Sequence, residues 1–179
     1  MTNHIARYGA EARFREVFAH LGAVTAYARR RGSTDADGLA AEVMTIAWRR
    51  LDDVPADDAR PWLYATARNL LLAERRRATR TPALSEPEPS AAPELPAAPE
   101  LPELDPGLSR ALRSLSSRDR EVLLLIAWEE LTPSEAARAL GINPAAFRVR
   151  LLRARRRLRA KLDEPRLAPH LSQLDVEGT

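Results

Sequence analysis

The chain has 179 residues, with 28 Lys and Arg against 25 Asp and Glu, and its formal net charge of +3 suits an anionic partner. It has no cysteine, so disulfides, thiolate metal sites and cysteine nucleophiles are excluded. The sequence shows neither a signal-peptide pattern nor a membrane-length apolar run, which predicts a cytoplasmic protein that does not bind membranes. His4, His20 and His170 form no ligand-like or triad-like group, so we expect no enzyme activity, no metal and no cofactor.

Apolar spacing predicts helices in the N-terminal part. A first helix is expected over residues 11–31, because its apolar stripe ends in three arginines and a glycine stop at Gly32. A second helix follows Asp35 and is expected to end before the acidic, proline-containing stretch from Leu51 to Pro55. The two stripes consist of Phe14, Val17, Phe18, Leu21, Val24 and Ala28, and of Leu39, Val43, Met44, Ile46, Ala47 and Trp48.

A third helix is expected to begin near Pro61 and to continue to the basic run Arg75-Arg76-Arg77. It combines aromatic residues with arginines, which in nucleic-acid-binding proteins stack on unpaired bases and contact phosphates. The same pattern is equally typical of core aromatics and of cations that complement the helix dipole. The residues alone leave both interpretations open.

The segment from Pro82 to Pro106 has the composition of a linker. It contains eight prolines, six acidic residues and no Lys or Arg. High proline density and like charges favour an extended chain. The sequence therefore predicts two small helical domains, 1–81 and 107–163, joined by an acidic, proline-rich linker at 82–106 and followed by a tail at 164–179, for which disorder is the default.

The strongest pattern of the C-terminal part predicts a helix-turn-helix. One helix begins with Thr132 as N-cap, Pro133 at the first helical position and Glu135 as the acid of a capping box. Gly141 can adopt the left-handed backbone that ends this helix, and Asn143-Pro144 repeats the cap-plus-proline signal directly afterwards.

The second helix of this motif has one apolar stripe and is otherwise cationic. We expect Phe147 and Leu151 of the stripe to be buried. A basic face taken alone is more often solvated surface, but here it follows a helix-turn-helix, which favours binding in the major groove of DNA. The cationic residues are Arg148, Arg150, Arg153, Arg155, Arg156, Arg157, Arg159 and Lys161.

Together these features resemble the extracytoplasmic-function (ECF) group of bacterial RNA polymerase sigma factors. Residues 61–69, Pro-Trp-Leu-Tyr-Ala-Thr-Ala-Arg-Asn, resemble the promoter-binding helix of region 2, and residues 35–42 resemble the core-binding segment before it. Residues 115–125, the helix-turn-helix and residues 150–155 are similar to region 4. The resemblance implies an all-α fold, in which a region 2 bundle of three or four helices and a region 4 helix-turn-helix domain are joined by the Pro/Glu-rich linker.

This resemblance implies an RNA polymerase sigma factor that directs core polymerase to specific promoters and helps to melt them. The implied partners are core RNA polymerase, through the clamp helices of its largest subunit, and promoter DNA. Factors of this group are often held by an anti-sigma factor, which adds that partner class. The loop from Asp52 to Arg60 would enclose an extruded base, because extrusion costs a few kcal/mol and requires a pocket.

Carried over position by position, the resemblance assigns three sets of site residues. Core polymerase binding is assigned to Asp37, Leu39, Glu42, Val43, Ile46 and Arg49. Binding of the minus 10 element is assigned to Trp62, Tyr64, Arg68, Asn69, Arg75, Arg76 and Arg77. For the minus 35 element, Arg148, Val149, Leu152 and Arg153 face the bases, and Arg150, Arg155, Arg156 and Arg157 meet phosphates.

Several positions depart from the family pattern. Gly38 and Ala41 stand where the core-binding segment usually has Asp and Gln, so two polar side chains that are usual in this segment are absent. Ala146 and Val149 replace small hydroxyl residues, which favours apolar contact with thymine methyl groups. Glu130 stands where a glycine normally ends the preceding helix, so that turn is expected to differ.

The alternative is a helix-turn-helix transcription regulator that binds duplex DNA without acting as a sigma factor. The helix from Trp62 to Arg77 distinguishes the two functions. A sigma factor needs this helix exposed for DNA, whereas a regulator would bury much of it.

Overall fold

A computed structural model describes residues 2–80 and 104–163, and these residues confirm the predicted all-α fold. The helices are α1 (Thr2–Phe18), α2 (Leu21–Arg30), α3 (Ala36–Arg49), α4 (Arg60–Arg80), α5 (Pro106–Ser114), α6 (Ser117–Ala127), α7 (Pro133–Leu140) and α8 (Pro144–Asp163), with a short 3-10 helix at Leu51–Asp53. Most of the predicted linker and the whole predicted tail at 164–179 lie outside the described residues. Within the described residues, none of the helices is long and apolar enough to cross a membrane.

The N-terminal domain is built around α3, which packs against α1, α2 and α4. Val24 of α2, Val43 of α3 and Leu63 of α4 are fully buried in its interior. Burying a side chain of this size contributes about 1.5–3 kcal/mol relative to leaving it in water. The apolar stripes seen in the sequence therefore hold these helices together.

The prediction of one helix over residues 11–31 is wrong, because the chain breaks at Ala19 and His20 into α1 and α2. The backbone N–H of His20 bonds to the carbonyl of Val17, three residues earlier, at 3.1 Å. Val17 before the break and Val24 after it both remain buried. The apolar spacing does not reveal such a break, because the apolar residues before and after it face the same core.

The C-terminal domain packs α5, α6 and α7 against α8. Side chains cap the first two of these helices: Asp105 accepts a backbone hydrogen bond at the start of α5, and Ser116 accepts one at the start of α6. The buried Arg120 donates hydrogen bonds to three backbone carbonyls at the end of α5, at 2.9, 2.9 and 3.0 Å. These carbonyls lie in the last turn of α5 and just after it, where a helix leaves acceptors without intrahelical partners; Leu112 also accepts from the N–H of Leu115 at 3.3 Å.

The predicted helix-turn-helix is confirmed in detail. The hydroxyl of Thr132 accepts from the backbone N–H of Glu135 at 3.3 Å, and the Glu135 carboxylate accepts from the N–H of Thr132 at 2.7 Å. Gly141 ends α7 with a left-handed φ of 64°. Asn143 then caps α8, because its side-chain oxygen accepts from the N–H of Ala145 at 2.8 Å.

The turn between α6 and α7 contains a strained residue. Glu130 has a φ of 53°, and among the described residues it is the only non-glycine with a positive φ. This conformation costs an L-residue about 1–2 kcal/mol, since its Cβ approaches the following carbonyl. The chain thus keeps a glycine-type backbone at this position without the glycine.

The two domains contact each other, with α7 packed against α4. Buried apolar residues of both domains form one continuous core. We call this arrangement the closed form.

Replacing Glu130 by glycine is expected to raise the free energy of unfolding by about 1 kcal/mol. Glycine has no Cβ and adopts this φ without strain, but it loses more conformational entropy on folding, which offsets part of the gain. Chemical denaturation of the purified chain measures the change. Glu130→Ala is the matched control, since it removes the carboxylate and keeps the strain. Equal stabilisation by both variants would contradict a backbone origin.

Candidate nucleic-acid interface

The N-terminal half of α8 presents an exposed face that combines arginines with apolar side chains. Phe147 and Leu151 are buried, as predicted, and fix the orientation of the helix. On the opposite side of the helix, residues three and four positions apart in the sequence lie together. These exposed residues are Arg148, Val149, Leu152 and Arg153, of which the two apolar ones are 49% and 51% exposed. This chemistry suits base edges and thymine methyl groups in a major groove.

The predicted phosphate contacts of α8 differ in their surroundings. Arg155 and Arg156 are exposed, and Arg150 is half-buried. Arg157 donates to the carboxylate of Asp119 on α6 at 2.5 Å. A phosphate contact by Arg157 would therefore require it to exchange this partner.

One side of α4 is covered in the closed form. Tyr64 is 3% exposed, and its ring stacks on that of Tyr27 with the centroids 4.9 Å apart. Trp62 is half-buried, and Arg68 donates to the carboxylate of Glu121 on α6 at 3.4 Å. The prediction that Tyr64 contacts the minus 10 element is therefore incompatible with this form, because its ring is part of the core.

The other residues that the sequence assigns to the minus 10 element lie further along α4. Asn69, Arg76 and Arg77 are exposed. Arg75 is half-buried and donates to the backbone carbonyl of Arg31 at 2.9 Å. Burial lowers the pKa of the Arg75 guanidinium. The closed form thus leaves only part of the predicted set accessible.

The loop before α4 borders an open cavity of about 420 Å³. Residues 55–60, the side of α1 and Glu135 of α7 line it. Asp58 accepts from the backbone N–H and from Nε of Arg60, at 3.1 and 3.3 Å, which orders the loop. This is the loop predicted to enclose an extruded base, and the cavity has the size of a small-molecule site.

The residues predicted to bind core polymerase differ in their exposure to solvent. Leu39 and Val43 are 4% and 0% exposed. Their assignment as direct contacts is incompatible with the structure, because they pack inside the N-terminal domain and fix α3. The remaining residues of the set are either exposed or half-buried: Asp37, Glu42, Ile46 and Arg49.

Gly38, one of the departures from the family pattern, lies in the first turn of α3. Its backbone N–H donates to the Asp35 carboxylate at 2.8 Å, which caps the helix. A Cβ at position 38 would clash with that carboxylate. An acidic residue there would therefore require Asp35 to give up its present position.

A buried group of charges lies between the two domains. We call Glu121 and Glu129 the carboxylate pair, and Arg30, Arg31 and Arg68 the arginine cluster. Glu129 accepts from Arg30 at 2.6 Å through Oε2 and from Arg31 at 3.0 Å through Oε1. Glu121 accepts from Arg68 at 3.4 Å, and its other oxygen lies 3.8 Å from Nε of Arg31. Each carboxylate thus bridges two arginines of the other domain.

Because these charged side chains are buried, the loss of one of them is expected to be costly. The side chains of Arg31, Glu121 and Glu129 are 3%, 4% and 1% exposed. Removing one partner of such a pair leaves an uncompensated buried charge, which typically costs about 3–5 kcal/mol. Burial alone would lower the pKa of Arg31, but Tyr27 and the carboxylate pair outweigh it and raise that pKa. The guanidinium therefore remains cationic.

Sequence reasoning missed this group, although one signal was present. Glu121 lies four residues before the fully buried Leu125, so it occupies an apolar-stripe position of α6. A carboxylate at such a position requires a partner. The sequence did not indicate which of the many arginines supplies it.

The burial of α4 is relevant to the choice between a sigma factor and a transcription regulator, which the sequence left open. The sequence predicted an exposed helix for a sigma factor and a buried one for a regulator. α4 packs against α2 and α3 of its own domain, where Tyr64 stacks on Tyr27, and against α7 of the chain's own helix-turn-helix domain. Burial of α4 therefore does not separate the two functions by itself.

Comparison with known protein families matches both domains. Residues 17–81 match the family model for sigma-70 region 2, and residues 107–158 match the model for sigma-70 region 4. The chain is also 30% identical over 140 residues to the ECF RNA polymerase sigma factor SigL of Mycobacterium tuberculosis strain H37Rv. That alignment covers 74% of this chain and 77% of SigL.

Solved structures show the same fold. A chain in the complex of the sigma factor RpoE with the anti-sigma factor NepR from Bartonella quintana has a TM-score of 0.61 and 24% identity, covering 85% of this chain and 97% of that one. A chain in the structure of CnrH with the cytosolic domain of CnrY has a TM-score of 0.55 and 27% identity, covering 84% of this chain and 87% of that one.

Tyr64 offers a spectroscopic test of the covered face of α4. Burial raises the pKa of its phenol to about 12, and the charge of Glu129 adds to the rise. Because the folded pKa lies above the unfolded one, the protonated phenol stabilises the folded state below pH 10, and this contribution is lost as the pH rises through about 12.

We therefore expect Tyr64 to remain protonated at a pH where an ordinary tyrosine is half ionised. The difference in phenolate absorbance between the wild type and Tyr64→Phe measures its titration, with circular dichroism recorded in parallel to confirm folding. Ionisation of Tyr64 near pH 10 would show that its ring is not covered.

Proposed function

We propose how this chain, which belongs to the extracytoplasmic-function sigma factors of bacterial RNA polymerase, divides its task among three helices. As a sigma factor it directs core polymerase to promoters and helps to open them. In our proposal α3 binds core polymerase, α4 binds the minus 10 element and α8 recognises the minus 35 element. It performs this task in the cytoplasm, where polymerase and promoters are found.

The proposal for α8 rests on the most direct observation, an exposed recognition face on a helix whose start is fixed by a cap. Arg148, Val149, Leu152 and Arg153 contact base edges, with the apolar pair beside thymine methyl groups. Arg150, Arg155 and Arg156 contact phosphates and set the register on the duplex. Arg157 joins them only after it leaves Asp119.

For the minus 10 element we propose two parts. The loop at residues 55–60 and the adjacent cavity of about 420 Å³ receive the extruded base. Trp62, Arg68, Asn69 and the basic end of α4 contact the melted strand. Both parts border α7 in the closed form, so DNA reaches them after α7 moves away.

For core polymerase we propose that the exposed residues Asp37, Glu42 and Arg49 of α3, with Ile46 beside them, form the contact. Leu39 and Val43 support this surface from inside. Gly38 and Ala41 lack the polar side chains usual at these positions, so the charged residues around them carry more of the binding.

We also propose an anti-sigma factor as a regulatory partner. CnrH, whose structure is similar to this chain, was solved in a complex with the cytosolic domain of CnrY. A partner of that kind would act on the same two domains, since the similarity spans 84% of this chain.

The proposed function is tested by mixing the purified chain with bacterial core RNA polymerase and transcribing a promoter library. We expect a stable complex and promoter-specific transcripts. Glu42→Lys should weaken the complex, because it reverses a charge on the exposed face of α3. Glu11→Lys makes the same change on α1 and is the control. Duplex binding without any association with core polymerase would favour the transcription regulator instead.

A second prediction separates base contacts from phosphate contacts on α8. Arg153→Ala is expected to cost about 1–3 kcal/mol on the preferred promoter and to relax the base preference at one position. Arg156→Ala should weaken all duplexes alike and reduce the salt slope of binding by about 1. Titrations of both variants against matched and mismatched duplexes measure this. A uniform loss for Arg153→Ala, or an unchanged slope for Arg156→Ala, would contradict these roles.

A further inference from the structure

We propose that the arginine cluster of the N-terminal domain is a phosphate-binding site for promoter DNA, which the carboxylate pair of the C-terminal domain occupies in the closed form. This inference rests on the proposed function, in which α4 binds the minus 10 element. It adds Arg30, the last residue of α2, and Arg31, its C-cap, to the DNA-binding surface. It also makes region 4 an internal competitor for the DNA that region 2 binds.

The geometry shows that the cluster already binds anions. Arg30, Arg31 and Arg68 come from two different helices of the N-terminal domain and converge on the carboxylates of Glu121 and Glu129. Contacts of 2.6 and 3.0 Å to Glu129 are those of charge-assisted hydrogen bonds. Guanidinium groups bind carboxylates and phosphates with the same fork of donors.

The charge balance favours a ligand with more acceptors than the carboxylate pair provides. Three guanidinium groups face two carboxylates, which leaves an excess of one positive charge. Arg31 is 5% exposed, and its Nε and Nη2 have no hydrogen-bond partner among the described residues. A buried donor without an acceptor is unfavourable, and a phosphate group has enough oxygens to accept from more than one of these nitrogens.

Position connects the cluster to α4. Arg68 belongs to the set proposed to contact the minus 10 element, and in the closed form it donates to Glu121. Arg75 of the same set donates to the backbone of Arg31, which joins the end of α2 to this side of α4. A phosphate at Arg68 would lie beside the negative charge of Glu121, and the C-terminal domain packs against α4 in the closed form. Repulsion and packing therefore make DNA and the carboxylate pair competitors for this side chain.

The consequence is a free factor that binds DNA weakly through region 2. When the domains separate, the arginine cluster loses two carboxylates and becomes available, together with the face of α4 that α7 covered. Phosphates of the promoter then replace the carboxylates on the same three side chains.

The test compares the full-length wild type with Glu121→Gln/Glu129→Gln. The probe is a fluorescein-labelled strand of thymidines, chosen because α8 is expected to recognise duplex DNA and contributes least on a single strand. Affinity is measured by fluorescence anisotropy between about 50 and 200 mM salt. Domain opening is followed by small-angle scattering, and helical content by circular dichroism.

We expect the double variant to open, to bind at least about tenfold more tightly at low salt, and to steepen the salt slope by about 2, since each single-strand phosphate contact contributes about 0.7. Adding Arg30→Gln and Arg68→Gln to the opened variant should reverse about two thirds of the steepening, since Arg31 remains. Glu130→Gln is the matched control, because it makes the same charge change beside Glu129 on an exposed side chain. It should leave both affinity and slope unchanged.

If the double variant opens and the salt slope of DNA binding is unchanged, the arginine cluster is not a phosphate site. If the double variant stays closed, the proposed competition between the carboxylate pair and DNA is wrong. If the double variant does not fold, Glu121→Gln and Glu129→Gln are tested singly, each expected to steepen the slope by about 1. The proposed function is tested separately, by binding of the wild type to core polymerase. If that binding fails, the proposed function is wrong, and the salt slope still decides whether the arginines bind phosphate.

Discussion

Arg31 lies buried between two carboxylates that belong to the other domain, and this pairing fixes how the two domains meet. Glu129 binds it directly and Glu121 lies beside it, so any other arrangement of the closed domains would leave a buried charge without its partner, while the shared apolar core supplies the stability of the contact. Which surfaces the chain presents depends on this contact. While it persists, α7 covers α4, and α8 remains the accessible DNA-binding helix.

The two surfaces proposed to bind promoter DNA, on α4 and α8, differ in their exposure in the closed form. The face of α8 that carries Arg148 and Arg153 is exposed in the closed form, whereas Tyr64 and Arg68 of α4 are engaged inside the protein. In our proposal region 2 therefore requires a conformational change before it meets DNA, and region 4 does not. The exposed residues of α3, such as Glu42, give core polymerase a surface on which to act first.

The sequence predicted those features whose causes lie within one or two helical turns. The capping box at Thr132, the end of α7 at Gly141 and the burial of Phe147 follow from neighbouring residues, and all were confirmed. The break at His20 was missed because apolar periodicity continues across it. The pairing of Arg31 with Glu129 joins residues 98 positions apart, and no local pattern selects one partner among many arginines. The site residues of α4 were assigned by resemblance, which carries no information on what covers them.

The continuous apolar core has a consequence for cooperativity. Buried side chains of both domains, such as Leu63 on one side and Phe147 on the other, belong to one cluster. Elements that share a core tend to lose their structure together, whereas elements with separate cores unfold in separate steps. The closed chain therefore behaves as a single folding unit, despite the length of sequence between its two halves. Opening divides that unit, so each half must then rely on its own smaller interior, and a partner that binds the open chain also supplies the stability that the shared core provided.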